Sequence, residues 1–173
     1  WELVRSFDHP RPDQDVILYN RDELTYRPNL SETSQSAYPS VPGRPLQNAY
    51  FSHEDGRDLR IINCHIPGDP TKPGRDEFAQ YVHEQHTDGS ITVALGDCNF
   101  ERDEMLDAYK KAGFEEYNLH SPWQTNIDPE TRQSKGIDHI FVYGEDLSRE
   151  LRADEILLEG NLQETIDLLR GRA

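Results

Sequence analysis

Short apolar runs rich in β-branched residues recur along this chain of 173 residues and predict its strands. The predicted strands are DVILYN (15–20), ELTYRP (23–28, its hairpin partner or continuation), NAYFSH (48–53), LRIINCHI (59–66), ITVALG (91–96), IDHIFVY (137–143) and ADEILLEG (153–160). Asp55-Gly56, between the third and fourth runs, predicts the turn of a hairpin.

Apolar residues at helical spacing predict helices between and after these strands. The predicted helices are residues 75–86, the segment ERDEMLDAYKKAGF with Gly113 as its C-terminal cap, and residues 162–170. Polar stretches at 29–46 and 121–136 predict long loops. No repeat or low-complexity tract divides the chain, so we expect a single domain over 1–173. Strands early in the chain, and helices alternating with strands later, predict an α/β or α+β fold of packed layers.

Composition and charge narrow the range of partners. The apolar fraction is 34% and the formal net charge is −15, which indicates a soluble protein with generous loops. An acidic surface repels nucleic-acid backbones and anionic membranes, but a bound divalent metal inverts the local field, so a phosphate substrate is not excluded.

The sequence contains no targeting or membrane-spanning pattern. No apolar run reaches about 18 residues, and WELVRSFDHP lacks the basic and apolar regions of a signal peptide. We therefore expect no transmembrane segment, and the compartment stays open. Because an initiator Met is missing, we expect a chain that is processed or cut from a longer one. Cys64 and Cys98 match no zinc or disulfide spacing, and we expect two buried free thiols rather than a disulfide.

Polar residues occupy the ends of three predicted strands, in INCHIPG, ALGDCNF and SKGIDHIFV. Side chains alternate along a strand, so Asp97 and Asn99 are predicted on one face and His65 on the corresponding face of its own strand. If the strands are neighbours, these side chains converge, and the two thiols point into the core. Asp138 lies inside an apolar strand, where a buried carboxylate needs a partner.

NCHIPG, GDCNF and KGIDHIFV, in that order, resemble the motifs of the endonuclease/exonuclease/phosphatase superfamily. This superfamily includes pancreatic-type deoxyribonucleases, abasic-site endonucleases, inositol-polyphosphate phosphatases and bacterial sphingomyelinases. The resemblance extends from DVILYN to IFVYG. It implies two stacked β-sheets flanked by helices, in four α/β/β/α layers. It also implies hydrolysis of a phosphate ester with Mg²⁺ or Mn²⁺.

The resemblance further implies roles for individual residues. Asp97 orients or deprotonates the attacking water, or holds the metal together with Asn99. Asn99 also donates its amide to a phosphate oxygen as charge builds in the transition state. His65 hydrogen-bonds the phosphate. Asp138 matches an aspartate that orients a catalytic histidine through its ring nitrogen.

Other residues are weaker candidates for the site. Arg44 matches a basic residue that approaches the substrate phosphate, and Thr125 lies where the family often has a threonine. Trp123 is either a substrate-stacking residue or an ordinary loop anchor. His83 and His86 have the i, i+3 spacing of a metal pair, but we expect a solvated helix face.

Two elements of the family pattern have no counterpart here. The family's metal-holding glutamate ends a strand that precedes the segment similar to DVILYN; no such strand is predicted before Asp15, and Glu2 is a poor candidate. The final Ser-Asp-His motif is not found either. Asp138-His139 belongs to the orienting strand. His139 alternates away from Asp138, and we expect it to be a core or interface residue.

We therefore expect a domain that is incomplete at both ends. It is a segment of a larger enzyme, a chain that another chain completes, or a catalytically dead binding module. The expected function is phosphodiester or phosphomonoester hydrolysis by activated water. Nucleic acid is the leading substrate class, with phosphoinositide or sphingolipid esters as alternatives. The 173 residues by themselves are expected to be inactive.

Overall fold

A seven-stranded sheet forms the centre of the computed structural model, which describes residues 1–5, 16–34, 46–68, 74–115, 117–120, 126–127 and 134–144. In chain order the elements are β1 (Glu2–Arg5), β2 (Val16–Tyr19), β3 (Leu24–Tyr26), a 3₁₀ turn (Pro28–Leu30), β4 (Glu32–Ser34), β5 (Leu46–His53), β6 (Asp58–His65), α1 (Gly74–Gln85), β7 (Ser90–Asp97), α2 (Arg102–Lys111), β8 (Asn118–His120), β9 (Asn126–Ile127), β10 (Ser134–Lys135) and β11 (Asp138–Tyr143).

The central sheet has the strand order β3-β5-β6-β7-β11-β8, with β4 also paired to β5. Strands β5 and β6 form the predicted antiparallel hairpin. Strands β6 and β7 run parallel, with α1 as their crossover, so their C-terminal ends meet at one edge of the sheet. Strand β11 runs antiparallel to β7, and its first residue therefore lies at the same edge.

A small second sheet packs on one face of the central sheet. It consists of β1 and β2, paired antiparallel. Val4 and Ile17 of this sheet are buried against Ala49 and Phe51 of β5. The amide nitrogen of Gln47 adds a hydrogen bond to the carbonyl oxygen of Val4, 2.8 Å long, which ties the two sheets together.

Both described helices pack on the opposite face of the central sheet. The core between them includes Ile62, Cys64, Phe78, Val82, Met105, Tyr109 and Phe141. The rings of Tyr109 and Phe141 stack with their centroids 3.8 Å apart. The described residues thus form a helix layer, a large sheet and a small sheet, which confirms the predicted two-sheet sandwich with helices.

Several predicted elements differ from the structure near the amino end. Strand β1 forms although no strand is predicted before Asp15, because its pairing with β2 and the burial of Val4 stabilise a segment with little apolar periodicity of its own. Strand β3 is not the hairpin partner of β2. It belongs to the central sheet, where Leu24 pairs with His53.

The two predicted loops also contain strands. The stretch 29–46 includes β4, which pairs with β5 through its backbone, and the stretch 121–136 includes β9 and β10, which pair with each other. Helix α2 ends one residue earlier than predicted, at the cap Ala112, and Gly113 follows with φ +102°. The predicted strand at 153–160 and helix at 162–170 lie outside the described residues.

Two further predictions concern the cysteines and membranes. Cys64 and Cys98 are buried free thiols, as expected. Within the described ranges, neither α1 nor α2 is long and apolar enough to cross a membrane.

Candidate functional site

Three polar residues form a row across the central strands at the shared edge of the sheet. Asp97, the last residue of β7, lies opposite His65, the last residue of β6. On its other side it lies opposite Asp138, the first residue of β11. Neighbours in register point to the same face, and the alternate residues Cys64 and Phe141 are buried on the helix face. The row therefore faces away from the helices, toward the side that carries the small sheet.

His65 and Asp97 are close enough to act on one small group. Their Nε2 and Oδ2 atoms lie 3.8 Å apart. The two side chains are 36% and 38% exposed, so a substrate has access to both. A contact of this length between two side chains at this exposure contributes little to stability.

Asn99 reaches the site through a turn and not through strand alternation. Strand β7 ends at Asp97, and the backbone N–H of Asn99 donates to Asp97 Oδ1 over 3.0 Å. Asn99 has φ +54°, a left-handed conformation that asparagine tolerates better than most residues. Its Nδ2 donates to the carbonyl of Ile66 over 2.9 Å, and a Cβ added at Gly68 would lie 3.1 Å from its side chain. The amide is therefore held against the end of β6.

Gly96 explains why a glycine precedes this turn. Its φ is +137°, and a Cβ at this position would overlap the carbonyl oxygen of Cys64 on β6. Glycine is thus required for β6 and β7 to approach at the level of His65 and Asp97. Any side chain here would separate the two strands that carry the site.

The residues behind the turn are buried and hold it to β11. The N–H of Cys98 donates to the carbonyl of Ile137 over 2.8 Å. His139 is 2% exposed, and its Nε2 lies 2.8 Å from the carbonyl oxygen of Phe100. Burial lowers the pKa of His139, an effect that the hydrogen bond to Phe100 partly opposes. This confirms that His139 faces the core.

The structure describes Glu2 but none of the three predicted substrate-binding residues. Arg44, Trp123 and Thr125 lie outside the described residues. The carboxylate of Glu2 accepts hydrogen bonds from the Tyr19 hydroxyl over 2.6 Å and from Arg21 over 3.3 Å. The Tyr19 bond is the largest cause of the lowered pKa of Glu2.

The predicted solvated face at His83 and His86 is only half right. His83 is exposed. His86 is half-buried, with Nδ1 3.0 Å from the hydroxyl of Thr92 and its ring edge-on to Tyr143. Desolvation lowers the pKa of His86. The helical periodicity of α1 does not predict the burial of His86, because His86 lies one residue beyond the helix and packs on the sheet.

Asn63 is a residue of the site face that motif matching left without a role. It lies two residues before His65 on β6, in register with Gln47 and Leu95. Strand alternation along INCHI places Asn63 on the same face as His65, which is the sequence signal for this residue. Its half-buried amide lies next to the row on the same face.

The donor set suits a hard divalent cation that keeps most of its waters. Asp97 Oδ1 accepts the Asn99 N–H, whereas Oδ2 lies 3.8 Å from His65 Nε2, on a side chain that is partly exposed. Mg²⁺ is commonly held by one or two carboxylates with water and phosphate oxygens as the remaining ligands. Among the residues that the structure describes, no group of three or more His, Cys, Asp or Glu is arranged to hold a metal ion. The described residues can therefore supply one or two oxygen ligands to Mg²⁺, but not a full set of protein ligands.

Comparison with known proteins supports the fold. No protein-family model matches the chain, and no curated protein matches it. Solved structures similar to it include D. rerio TDP2 complexed with a single-strand DNA product, with 15% identity and a TM-score of 0.59 over 83% of this chain and 62% of that one.

Two further structures give the same picture. ANGEL2, a 2′,3′-cyclic phosphatase, shares 12% identity at a TM-score of 0.57 over 83% of this chain and 62% of its own. The endonuclease/exonuclease/phosphatase from Bacteroides vulgatus shares 17% identity at a TM-score of 0.56, over 82% and 64%. The chain thus spans about three-fifths of the length of these structures. It has the DNase I-like endonuclease/exonuclease/phosphatase fold.

Proposed function

We propose that this chain carries part of the active site of a divalent-metal-dependent phosphoesterase, with nucleic acid as the leading substrate class. The supporting observation is the register of His65, Asp97 and Asp138, side by side at one edge and on one face of the central sheet. The fold adds support, because similar structures include a complex of TDP2 with a single-strand DNA product and a 2′,3′-cyclic phosphatase.

The proposed roles are those that the resemblance to the endonuclease/exonuclease/phosphatase superfamily implies for each side chain. Asp97 and the side-chain oxygen of Asn99 would hold Mg²⁺ or Mn²⁺, which when bound neutralises phosphate charge and polarises a phosphoryl oxygen. Asp97 also orients the attacking water through Oδ2. The Nδ2 of Asn99 carries two hydrogens, and the one not used by Ile66 donates to a phosphate oxygen.

His65 and Asp138 act on either side of Asp97. His65 donates a hydrogen bond to the phosphate from its position 3.8 Å from Asp97. Asp138 orients a catalytic histidine and fixes its tautomer. Arg44, Thr125 and Trp123 remain predictions as substrate contacts.

The charge of the chain constrains the mode of nucleic-acid binding. A net charge of −15 opposes binding to a phosphate backbone through the general surface. Recognition would therefore depend on the metal and on a few local donors. We expect a short single-stranded or terminal segment as substrate more readily than a long duplex, since fewer phosphates then approach the acidic surface.

The test is hydrolysis by the complete protein that contains these residues. Labelled DNA and RNA oligonucleotides, phosphoinositide vesicles and sphingomyelin are each incubated with Mg²⁺, Mn²⁺ or EDTA. Asp97→Asn and Asn99→Gly are expected to lower kcat/KM by about 100-fold or more. Asp88→Asn is the matched control, an exposed carboxylate before the opposite end of β7. Undiminished activity in both site variants would refute the assignment.

A metal titration separates the enzyme from a binding module of the same fold. Calorimetric titration of the complete protein with Mn²⁺ is expected to show binding that Asp97→Asn weakens. Substrate binding without turnover, together with no Mn²⁺ binding, would favour the binding module instead.

A further inference from the structure

We propose that His139 is a positioning residue for Asn99, acting through the carbonyl group of Phe100; this inference rests on the proposed function. His139 lies next to Asp138 on β11 but points to the opposite face, into the core. It is a buried ionisable side chain that the proposed chemistry does not use.

The hydrogen bond fixes the direction in which His139 acts. Nε2 lies 2.8 Å from the carbonyl oxygen of Phe100. A carbonyl only accepts, so Nε2 carries the proton and donates. Since His139 is 2% exposed, water cannot replace this donor cheaply. The carbonyl of Phe100 is thereby held toward β11.

Phe100 transmits this constraint because it directly follows Asn99. Asn99 is in the left-handed region at φ +54°, which asparagine adopts at a small cost, and contacts on both sides of it hold the chain in this turn. On the amino side the chain is fixed by the bond from the Asn99 N–H to Asp97 Oδ1 and by the N–H of Cys98, which donates to Ile137. On the carboxyl side, His139 fixes the Phe100 carbonyl.

The ring of Phe100 makes a second contact that fixes the chain on the carboxyl side of Asn99. It is buried, and the guanidinium of Arg75 lies 5.5 Å from its centroid. Arg75 positions the ring, whereas His139 positions the peptide group that joins Phe100 to the first residues of α2. Without the His139 donor, this peptide group would therefore rotate. The rotation would break the hydrogen bond from the side-chain amide of Asn99 to the carbonyl of Ile66.

The experiment uses the complete protein and pairs two substitutions of His139. His139→Leu removes the donor, and His139→Gln keeps an N–H donor of similar reach. We expect His139→Leu to lower kcat about tenfold with little change in KM, and His139→Gln to restore most of kcat. His86→Leu is the control: it also deletes a histidine hydrogen bond, to Thr92, but near the opposite end of β7.

A double variant distinguishes positioning from general destabilisation. If His139 acts through Asn99, then His139→Leu in the Asn99→Gly background lowers kcat no further than Asn99→Gly alone. Multiplicative losses in the double variant would overturn the proposal, as would failure of His139→Gln to restore kcat.

Amide hydrogen exchange tests the proposal independently of any activity. We expect His139→Leu to speed exchange of the Asn99 N–H at least tenfold relative to the Ile62 N–H in mid-strand, and His86→Leu to leave that ratio unchanged. An unchanged ratio in His139→Leu would overturn the proposal. If the protein hydrolyses none of the substrates but the ratio changes as expected, the proposed function fails and the positioning contact stands.

Discussion

Gly96→Ala offers the sharpest test of how the two site-bearing strands are held together. The substitution adds one methyl group at a position where φ is +137° and where a Cβ would overlap the Cys64 carbonyl oxygen and lie 3.0 Å from its carbon. The obstacle is backbone of the neighbouring parallel strand, so no side chain can rotate away to relieve the overlap. Strand β7 must shift from β6, or change its own conformation.

The expected cost has a conformational and a steric part. A non-glycine residue in this region of φ costs about 1–3 kcal/mol, and an overpacked contact adds about 1–3 kcal/mol. We expect the free energy of unfolding to fall by about 4 kcal/mol in all. For a folded unit of about 150–250 residues that corresponds to a fall in Tm of about 8–16 °C.

Gly89→Ala is the matched control for the conformational part. Gly89 also has a positive φ, +79°, but nothing lies within 4 Å of an added Cβ. Its variant should lose only the conformational contribution. Urea and thermal unfolding of both variants of the complete protein measure the difference. Equal losses in Gly96→Ala and Gly89→Ala would refute the argument that backbone contact between β6 and β7 demands glycine.

Three further predictions follow from contacts outside the row of polar residues. Glu104→Ala should lower the free energy of unfolding by about 1 kcal/mol in urea titrations, because Glu104 accepts the Glu101 N–H at the start of α2 over 3.0 Å. Glu104→Gln keeps an accepting oxygen and should retain most of this stability. Because burial lowers the pKa of His86, its protonation favours the unfolded state: stability should fall as pH drops below about 6.5, and His86→Gln should reduce this fall. Gln47→Glu should destabilise more at pH 7 than at pH 4 in the same titrations, because it places a carboxylate at a fully buried position.

The central strands could be predicted because short runs rich in β-branched and other apolar residues are typical of strands. The segments that became β6, β7 and β11 each carry such a run, and the polar residue at the end of each breaks the pattern. The adjacency of β6 and β7 required only that consecutive strands pair, which is the common outcome. Strand β11 lies beside β7 although β8, β9 and β10 come between them in the chain. The convergence of His65 and Asp97 was therefore accessible to sequence reasoning.

The short outer strands β1 and β4 could not be predicted in the same way. Strand β4, with the sequence ETS, has no apolar residue and exists because the backbone of β5 offers it a partner. Strand β1 is stabilised by the burial of Val4 and by the Gln47 bond across the sheets. The Gln47 bond links residues 43 positions apart, and no local pattern encodes such a contact.

Asp97 and Asn99 lie close together in the structure, but not through the strand alternation that predicted it. Alternation predicted that Asp97 and Asn99 share a face, but a turn brings them together and divides the two oxygens of Asp97 between structure and chemistry. Oδ1 holds the Asn99 N–H, and Oδ2 faces His65. Asp97→Asn keeps an oxygen that accepts the N–H, so it should lower activity while leaving Tm nearly unchanged. Asp97→Ala should lose the turn as well, at about 1 kcal/mol. Equal Tm values for Asp97→Ala and the wild-type protein would show that the turn does not depend on this carboxylate, and that both oxygens are available to the metal and the water.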